Sequence, residues 1–352
     1  YIAEELRNKG YELVWMVKNN TEAETLPPDI KACKIMSIAW VYQLSTAALW
    51  IDNCRKVFKF KKEQQFYIQT YHGGGAGKKC ERDAADKLGK EYVDMSIKDA
   101  LNTDLMVSSD RFMTNLYHKS FWYDGPVFEC GYPRYDILLK KDKVLYKKKV
   151  DDFFEVEHGM HYILYAPTFR SDYSFKAYSV DFNRVLTACE RKFKNKYAVL
   201  VHLHPNVATR FSEMKYDSRI INATVYPDMQ ELMAVSDILI GDYSSVNLEF
   251  SLMKKPVFRF AVDVSAYRED RDMYYKMDDY PFPLAESNDE LIQNIVDFDE
   301  DIYYKRLKDF HDKVGVILNP NASKQCAELI DYYFSQNCNK KKVFEHYKNQ
   351  LI

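Results

Sequence analysis

Short apolar runs alternate with amphipathic stretches through most of this sequence, and that alternation constrains the fold more than any other feature. The candidate strands are residues 13–17, 48–51, 66–71, 104–109, 162–168, 198–204, 237–243 and 256–261. Helical patterns follow or separate them, at residues 83–92, 181–193, 288–298, 303–314 and 322–334. Strands that alternate with helices are typical of parallel sheets with right-handed crossovers. The sequence therefore predicts an α/β fold.

The length of the chain predicts two domains, because its 352 residues exceed what one ordinary core holds. The lysine-rich residues 140–150 have little apolar content and are interpreted as a surface linker or exposed helix that divides the chain. We predict a Rossmann-like domain over residues 1–145, whose first strand we expect to be missing from this sequence. A second such domain over residues 146–335 and a helical tail over residues 336–352 follow. Two such domains, with parallel sheets facing a central crevice that holds the ligands, form the GT-B architecture.

Composition narrows the classes of function. The net charge of −2 gives no electrostatic reason to expect nucleic acid as a partner. The seven cysteines are scattered and form no C-x-x-C pair, which argues against a disulfide framework or a zinc site and indicates a reducing cytosol. No apolar run approaches the ~18–20 residues that span a bilayer. We therefore expect a cytoplasmic protein.

The stretch "ILIGDYSSVNLEF" in the second half predicts an anion site. An apolar strand ends at Gly241, and Ser244 and Ser245 open a helix that we expect to run to about Lys254. Hydroxyls and free N–H groups at a helix start favour a phosphate. The alternative is that a serine only caps the helix. Glu249, one turn later, can accept hydrogen bonds from ribose or polyol hydroxyls.

Two further strands end in polar residues. "LYAPTFR" brings Thr168 and Arg170 to a strand end, where the planar fork of an arginine suits phosphate and a solvated arginine is the alternative. "VHLHPNV" places His202 and His204 on one face of a strand. An H-x-H pair can bind a metal, but no cluster of further ligands lies nearby in sequence. His204, at the carboxyl end, is better placed than His202 to meet a ligand.

The stretch "QTYHGGGAGKK" puts a histidine between an apolar run and a glycine-rich loop. Its spacing fits neither a P-loop nor G-x-G-x-x-G. Histidine readily takes a proton from a hydroxyl at neutral pH, so His72 is a candidate base. Gly73 and Gly74 let the backbone approach a ligand closely. Lys78 or Lys79 can attract an anionic acceptor.

Together these stretches resemble the CDP-glycerol glycerophosphotransferase family, the teichoic acid primases and polymerases and related capsule polymerases. The matching stretches are "QTYHGGGAGKK", "CGYPRYDIL", "LYAPTFR", "HLHP", "ILIGDYSSVNLEF", "KKPVFRFAVDVSAY" and "GVILNPNASK". Three positions depart from the family pattern. Residues 73–76 replace an HGTP-like sequence, Glu249 replaces an Asp, and Asp272 replaces a Gly after Arg271. The first and third departures bear on which substrate is bound.

The resemblance implies a transferase that moves a polyol phosphate from a CDP donor to a hydroxyl of a teichoic-acid-like or capsule acceptor and releases CMP. The donor is CDP-glycerol or CDP-ribitol, and the acceptor is a polyol-phosphate chain or a lipid-linked glycan. The residues it assigns are His72 and His204 for catalysis, Thr168, Arg170, Asp242, Ser244, Ser245 and Glu249 for the donor, and Gly73, Gly74 and Lys78 for the acceptor. Nothing in the sequence proves that a divalent ion is needed, although pyrophosphate donors often bring Mg²⁺, which is the candidate cofactor.

We expect peripheral contact with the anionic inner face of the cell membrane through two basic–aromatic stretches, residues 55–62 and 339–348. Two solvated helix faces are the alternative interpretation. Two other functions stay open at this point. One is a GT-B glycosyltransferase that uses a nucleotide sugar and releases UDP instead of CMP. The other is a module that binds polyanionic polymer without turnover.

Overall fold

The structure is a computed structural model. It describes residues 1–56, 60–73, 77–157, 159–168, 170, 178–203, 218–264 and 272–352. Two of the predicted site residues, His204 and Gly74, lie outside the described residues.

The chain forms two compact units, and their boundaries differ from the predicted ones. The first unit comprises Tyr1–Gly73, Cys80–Asp136 and Asn321–Ile352. The second comprises Gly74–Lys79 and Ile137–Pro320. The predicted boundary after residue 145 is therefore too late by nine residues, since the first unit's main run ends at Asp136. The larger correction is that the chain returns to the first unit at Asn321.

The first unit contains a four-stranded parallel sheet of order β3–β4–β5–β6 and a separate parallel pair, β1–β2. The strands are β1 (Val14–Val17), β2 (Lys31–Lys34), β3 (Leu49–Asp52), β4 (Phe66–Gln69), β5 (Leu105–Ser108) and β6 (Val127–Glu129). The α-helices are Ile2–Leu6, Asn20–Glu24, Ile38–Thr46, Lys90–Asn102, Arg111–Ser120, Ala322–Ser335 and Lys340–His346. Short 3₁₀ turns cover Glu81–Ala84 and Pro133–Tyr135, and the helix Asp136–Leu139 begins at the boundary.

The second unit contains a six-stranded parallel sheet of order β12–β11–β10–β7–β8–β9. The strands are β7 (His161–Tyr165), β8 (Tyr197–Val201), β9 (Ile220–Asn222), β10 (Ile238–Gly241), β11 (Val257–Phe260) and β12 (Leu284–Ala285). The α-helices are Val144–Phe154, Phe182–Phe193, Met229–Val235, Val246–Ser251, Asn288–Val296 and Glu300–Val314, with a 3₁₀ turn at Met277–Asp279. Numbered within the unit, the order is 3-2-1-4-5-6, that of a doubly wound nucleotide-binding sheet. The strand order of this sheet reverses between β7 and β10.

The central strands are buried along their whole length, which explains why they could be predicted from the sequence. All residues of β4, β5, β8, β10 and β11 are buried. Parallel strands covered on both faces carry continuous apolar runs. The strands β2, β6, β9 and β12 were not predicted, because they have only two to four residues or carry polar side chains. The predicted α/β fold class with parallel sheets is confirmed.

The C-terminal segment is part of the first unit and not a separate tail. The carboxylate of Asp136 accepts hydrogen bonds from the backbone N–H groups of Ala322 and Ser323, both at 2.9 Å. The hydroxyl of Tyr333 donates to the carbonyl of Ala48 at 3.1 Å. These bonds hold the last long helix against the unit that contains the N-terminus. The predicted division at residue 335 is therefore wrong.

Two predicted helical segments also change. The pattern over residues 83–92 forms no single helix, since a 3₁₀ turn ends at Ala84 and the next α-helix begins at Lys90 after Gly89. The lysine-rich segment is the helix Val144–Phe154, and it is docked rather than a linker. Its Asp151 is buried and accepts a hydrogen bond from the Tyr162 hydroxyl on β7 at 2.6 Å. Within the described residues, no helix combines the length and apolarity that crossing a bilayer requires.

Candidate donor and acceptor sites

His72 lies just beyond the carboxyl end of β4, where the chain turns sharply out of the sheet. Tyr71 adopts a positive φ of 53°, a conformation that costs a bulky residue of order 1 kcal/mol or more. Gly73 follows, and a Cβ added there would lie 3.0 Å from Cε1 of Tyr71. A glycine at this position therefore lets the bend fold back over the tyrosine ring. The bend leaves the His72 side chain exposed.

One ring nitrogen of His72 is held by the backbone. Nδ1 lies 2.8 Å from the carbonyl oxygen of Asn53, which follows β3. A carbonyl can only accept, so Nδ1 carries the hydrogen in this bond. In the neutral imidazole the lone pair is then on Nε2. The geometry makes Nε2 the atom that can take a proton.

Arg134 lies near His72, and no role was predicted for it. Its guanidinium donates to the carbonyl of Tyr71 at 3.2 Å and to that of His72 at 3.3 Å. It also lies over the rings of Tyr132 and Tyr135, at 4.5 and 4.9 Å from their centroids. The quoted motif "CGYPRYDIL" contained it, but sequence spacing alone did not indicate contact with residues 62 to 63 positions earlier. Arg134 holds the bend and adds positive charge beside it.

In the second unit, Thr168 and Asp242 meet where the strand order reverses. Thr168 follows β7, and Asp242 follows β10, its neighbour in the sheet. The Thr168 backbone N–H lies 2.9 Å from both carboxylate oxygens of Asp242, and its hydroxyl donates to Oδ1 at 2.7 Å. The carboxylate also accepts from the backbone N–H of Tyr243. Asp242 thus ties the two strand ends together at the point where such sheets bind ligands.

Arg170 is buried against two carboxylates. Its Nη1 donates to Asp242 at 2.8 Å, and its Nε donates to Asp263 at 2.6 Å. Burial lowers the pKa of the guanidinium, but the bonds and charges of Asp263 and Asp242 more than offset this and raise it. Burial by itself raises the pKa of the Asp263 carboxyl. The hydrogen bond and the positive charge of Arg170 outweigh burial, so the pKa of Asp263 is lowered overall. Arg170 was predicted to meet donor phosphates, yet its charge is balanced within the protein.

Ser244 and Ser245 are half-buried and line a pocket of the second unit. Ser244 Oγ accepts from the backbone N–H of Val246 at 3.3 Å, a long capping bond, while Ser245 makes no side-chain capping bond. The helix that follows is only Val246–Ser251, shorter than predicted, so its dipole contributes little. The two hydroxyls, more than the helix, are the groups available to an anion.

Glu249 and Gly241 frame this turn. Glu249 is buried rather than exposed, and its carboxylate accepts from Gln230 Nε2 at 3.3 Å. Its predicted role on donor hydroxyls stays a prediction. A Cβ at Gly241 would overlap the Asn247 side chain, which itself donates to the backbone carbonyl of Asp242 at 2.9 Å. Glycine is required at the end of β10 for this close packing.

Lys78 belongs to the second unit, although it was predicted to lie on the acceptor side of the N-terminal domain. Residues 77–79 pair with residues 272–274 through a bridge between Lys78 and Met273. The backbone N–H of Lys79 donates to Asp272, and that of Tyr274 donates to Gly77, at 2.8 and 2.9 Å. Backbone pairing, which sequence spacing does not reveal, decides the placement.

No group of three or more His, Cys, Asp or Glu side chains in the described part of the chain is arranged to hold a metal ion. The pair His202 and His204 falls partly outside that part. The structure therefore assigns no residue to Mg²⁺.

Comparison with known families decides the class of protein. The family model described as CDP-glycerol:poly(glycerophosphate) glycerophosphotransferase matches residues 1–332, most of the chain. The chain belongs to this family. The predicted glycerophosphotransferase family, and with it the prediction of a transferase that uses a CDP-activated polyol phosphate, is confirmed at the level of the family.

Two of the relatives of this glycerophosphotransferase differ in the polyol that their names give. The teichoic acid poly(glycerol phosphate) polymerase of Bacillus spizizenii is 26% identical over 339 residues, which cover 94% of this chain and 86% of that protein. The teichoic acid ribitol-phosphate polymerase TarL of Staphylococcus aureus is 29% identical over 244 residues. That match covers 66% of this chain and 42% of the relative.

A solved structure is also similar to this glycerophosphotransferase. A variant of the wall teichoic acid polymerase TagF, soaked with CDPG, gives a TM-score of 0.82 at 25% identity. The match covers 96% of this chain and 86% of that chain. The parallel-sheet α/β architecture predicted from the sequence is thus shared with a family member of solved structure. The predicted location of ligands in a crevice stays a prediction.

Proposed function

We propose that this glycerophosphotransferase transfers glycerol phosphate from CDP-glycerol to a hydroxyl of a teichoic-acid-like polymer. The match to a poly(glycerol phosphate) polymerase over 86% of that relative supports glycerol as the polyol. The ribitol-phosphate polymerase supports ribitol as the second candidate, on a match to 42% of its length. The acceptor, a growing chain or a lipid-linked glycan, is part of this proposal.

The bond of His72 to Asn53 carries the proposal. With Nδ1 donating to the backbone at 2.8 Å, Nε2 takes the proton of the acceptor hydroxyl. The hydroxyl oxygen forms a bond to the β-phosphorus of CDP-glycerol. The bond between that phosphorus and the bridging oxygen breaks, and CMP leaves with the electron pair. Positioning and charge neutralisation supply most of the rate in such transfers.

The second unit supplies the donor groups in this proposal. The hydroxyls of Ser244 and Ser245 donate to the donor phosphates. Thr168, Arg170 and Asp242 hold the strand ends in register around them, through bonds of 2.7 to 2.9 Å. This differs from the sequence-based assignment of Arg170 as a direct phosphate ligand.

The experiment is an assay of CMP release from CDP-glycerol with a poly(glycerol phosphate) acceptor, for wild type and His72→Ala. We expect the variant to lose about 10²–10⁴-fold in rate, the usual contribution of a general base, while CDP-glycerol affinity stays near wild type. His118→Ala is the matched control, since this half-buried histidine of the first unit packs on Tyr123, with ring centroids 6.3 Å apart, and has no assigned role. A His72→Ala enzyme with wild-type turnover at saturating acceptor would remove the proposed base.

Parallel reactions with CDP-ribitol and with UDP-sugars separate the alternatives. Faster CMP release from CDP-ribitol makes ribitol the polyol, and release of UDP points to a sugar transferase. Absence of nucleotide release from every donor, with retained binding of polymer, points to a binding module.

Peripheral contact with the membrane was predicted for two basic–aromatic stretches, and in the first of them two cations are engaged by carboxylates of the protein. In residues 55–62, the Arg55 guanidinium is buried between Glu81 and Asp99, and Lys61 pairs with Asp104 at 2.8 Å. These two cations are not available to lipid. We propose that residues 339–348 make the contact through the exposed Lys341, Lys342 and Lys348, whereas Lys340 pairs with Asp104 at 2.8 Å. Each basic residue near an anionic leaflet contributes about 1 kcal/mol.

Sedimentation with phosphatidylserine vesicles tests this contact. We expect binding at low salt that weakens at high salt, and a loss in the double variant Lys341→Gln, Lys342→Gln. The matched control is Lys140→Gln, Lys141→Gln, two adjacent exposed lysines of the second unit. Equal pelleting with neutral vesicles, or no pelleting at low salt, would show that this electrostatic contact does not form.

A further inference from the structure

Arg259 is a buried cation in the interior of a central strand. It lies on β11 in the sequence Val-Phe-Arg-Phe, and its residue is only 4% exposed. Arginine is almost never fully buried unless it is paired. The side chain lines the same pocket of the second unit as Ser244 and Ser245.

The partners of Arg259 are neutral. Its Nε and Nη2 donate to the backbone carbonyl of Phe282 at 3.2 and 3.0 Å, and Nη2 donates to that of Met277 at 2.8 Å. Nη1 has the Met277 sulfur at 3.5 Å, a weak acceptor. Among the residues that the structure describes, no carboxylate forms an ion pair with this guanidinium. Nη1 can therefore still donate a hydrogen bond to a strong acceptor.

The contrast with Arg170 shows what is missing. Arg170 is buried to a similar degree, but Asp242 and Asp263 balance its charge at 2.8 and 2.6 Å. Burial lowers the pKa of Arg259 to about 10, and the charges of Tyr280 and Asp278 offset only part of that shift. Burying a charge without a counter-charge costs free energy, and an anion that enters the pocket would recover it.

We propose that Arg259, together with the hydroxyls of Ser244 and Ser245, binds a phosphate group of the donor in this pocket. The inference deepens the proposed function and names its cationic group. A guanidinium and two hydroxyls supply charge-assisted and neutral donors to phosphate oxygens. A phosphate oxygen accepts a hydrogen bond from Nη1 of Arg259, and the phosphate supplies the counter-charge that no described carboxylate provides there. Of the two buried arginines in the described part of the second unit, the one in the apolar strand is therefore the phosphate ligand.

Inorganic pyrophosphate is the probe, because its binding does not depend on the polyol or on turnover. We compare wild type, Arg259→Met and Arg259→Gln by calorimetric titration at low temperature and by the melting temperature with and without pyrophosphate. We expect both variants to bind pyrophosphate and CDP-glycerol about 10–100-fold more weakly, the loss of one charge-assisted hydrogen bond. The pyrophosphate-induced rise in melting temperature should disappear with it.

Arg219→Met is the matched control, since this arginine of the same unit pairs with Glu190 at 2.7 Å and does not line the pocket. It should bind pyrophosphate as wild type does. If Arg259→Met does not fold, Arg259→Gln decides, because its amide still donates to the carbonyls while the charge is gone. Wild-type affinity for pyrophosphate in a folded Arg259 variant would overturn the inference. Continued CMP release by that variant would at the same time leave the proposed function intact.

Discussion

At the scale of single residues, charge balance separates side chains that look alike in sequence. Arg170 follows a strand end beside threonine and phenylalanine, a place typical of a ligand-binding arginine. In the folded chain it is neutralised by carboxylates 72 and 93 residues away. Asp242 was likewise assigned to the donor, but its oxygens already accept from Thr168, Tyr243 and Arg170. These residues shape the site by fixing the backbone.

The substitution Asp242→Asn tests this structural role. It leaves Arg170 with one carboxylate and places an amide donor beside a guanidinium, so we expect a loss of about 3 kcal/mol in the free energy of unfolding. The control is Asp289→Asn, which removes the exposed pair with Arg184 at 2.7 Å and should cost less than about 1 kcal/mol. Urea unfolding followed by circular dichroism measures both. Equal effects of the two substitutions would contradict a buried structural ion pair at Asp242.

At the scale of elements, local signals set both ends of one predicted helix, whereas tertiary structure sets the end of another. The pattern over residues 181–193 is confirmed as the helix Phe182–Phe193, which begins at the Asp181 cap and ends at Lys194 in a left-handed conformation. The helix after Ser245 ends at Ser251, although its pattern continues to Lys254. Lys254 has a φ of 58° and turns the chain toward β11. The neighbouring strand, not helix propensity, sets that end.

At the scale of the whole molecule, the chain leaves the first unit and returns to it. Asp136 at the exit caps the helix that begins at Ala322, across 186 residues of sequence. All four tryptophans, Trp15, Trp40, Trp50 and Trp122, lie in the first unit. Tryptophan fluorescence therefore reports on the stability of that unit.

Removing the cap with Asp136→Ala should lower the urea midpoint of the fluorescence transition, with a loss of about 1–2 kcal/mol. The control is Asp299→Ala, which removes the cap of the helix Glu300–Val314 in the second unit. We expect that control to lower the circular dichroism midpoint and to leave the fluorescence midpoint nearly unchanged. A C-terminal segment that is only an appended tail would leave the fluorescence midpoint of Asp136→Ala at the wild-type value.

The sequence by itself determined the α/β class, the main buried strands, most long helices and the candidate residues His72, Ser244 and Ser245. These follow from patterns within a few residues, because a strand covered on both faces must be apolar and a strand end must turn. Only the tertiary structure decided the tautomer of His72, the return of the chain at Asn321 and the charge balance that distinguishes Arg170 from Arg259. Each of these depends on atoms far apart in sequence, since a carbonyl, a cap or a counter-charge acts through space and leaves no local pattern.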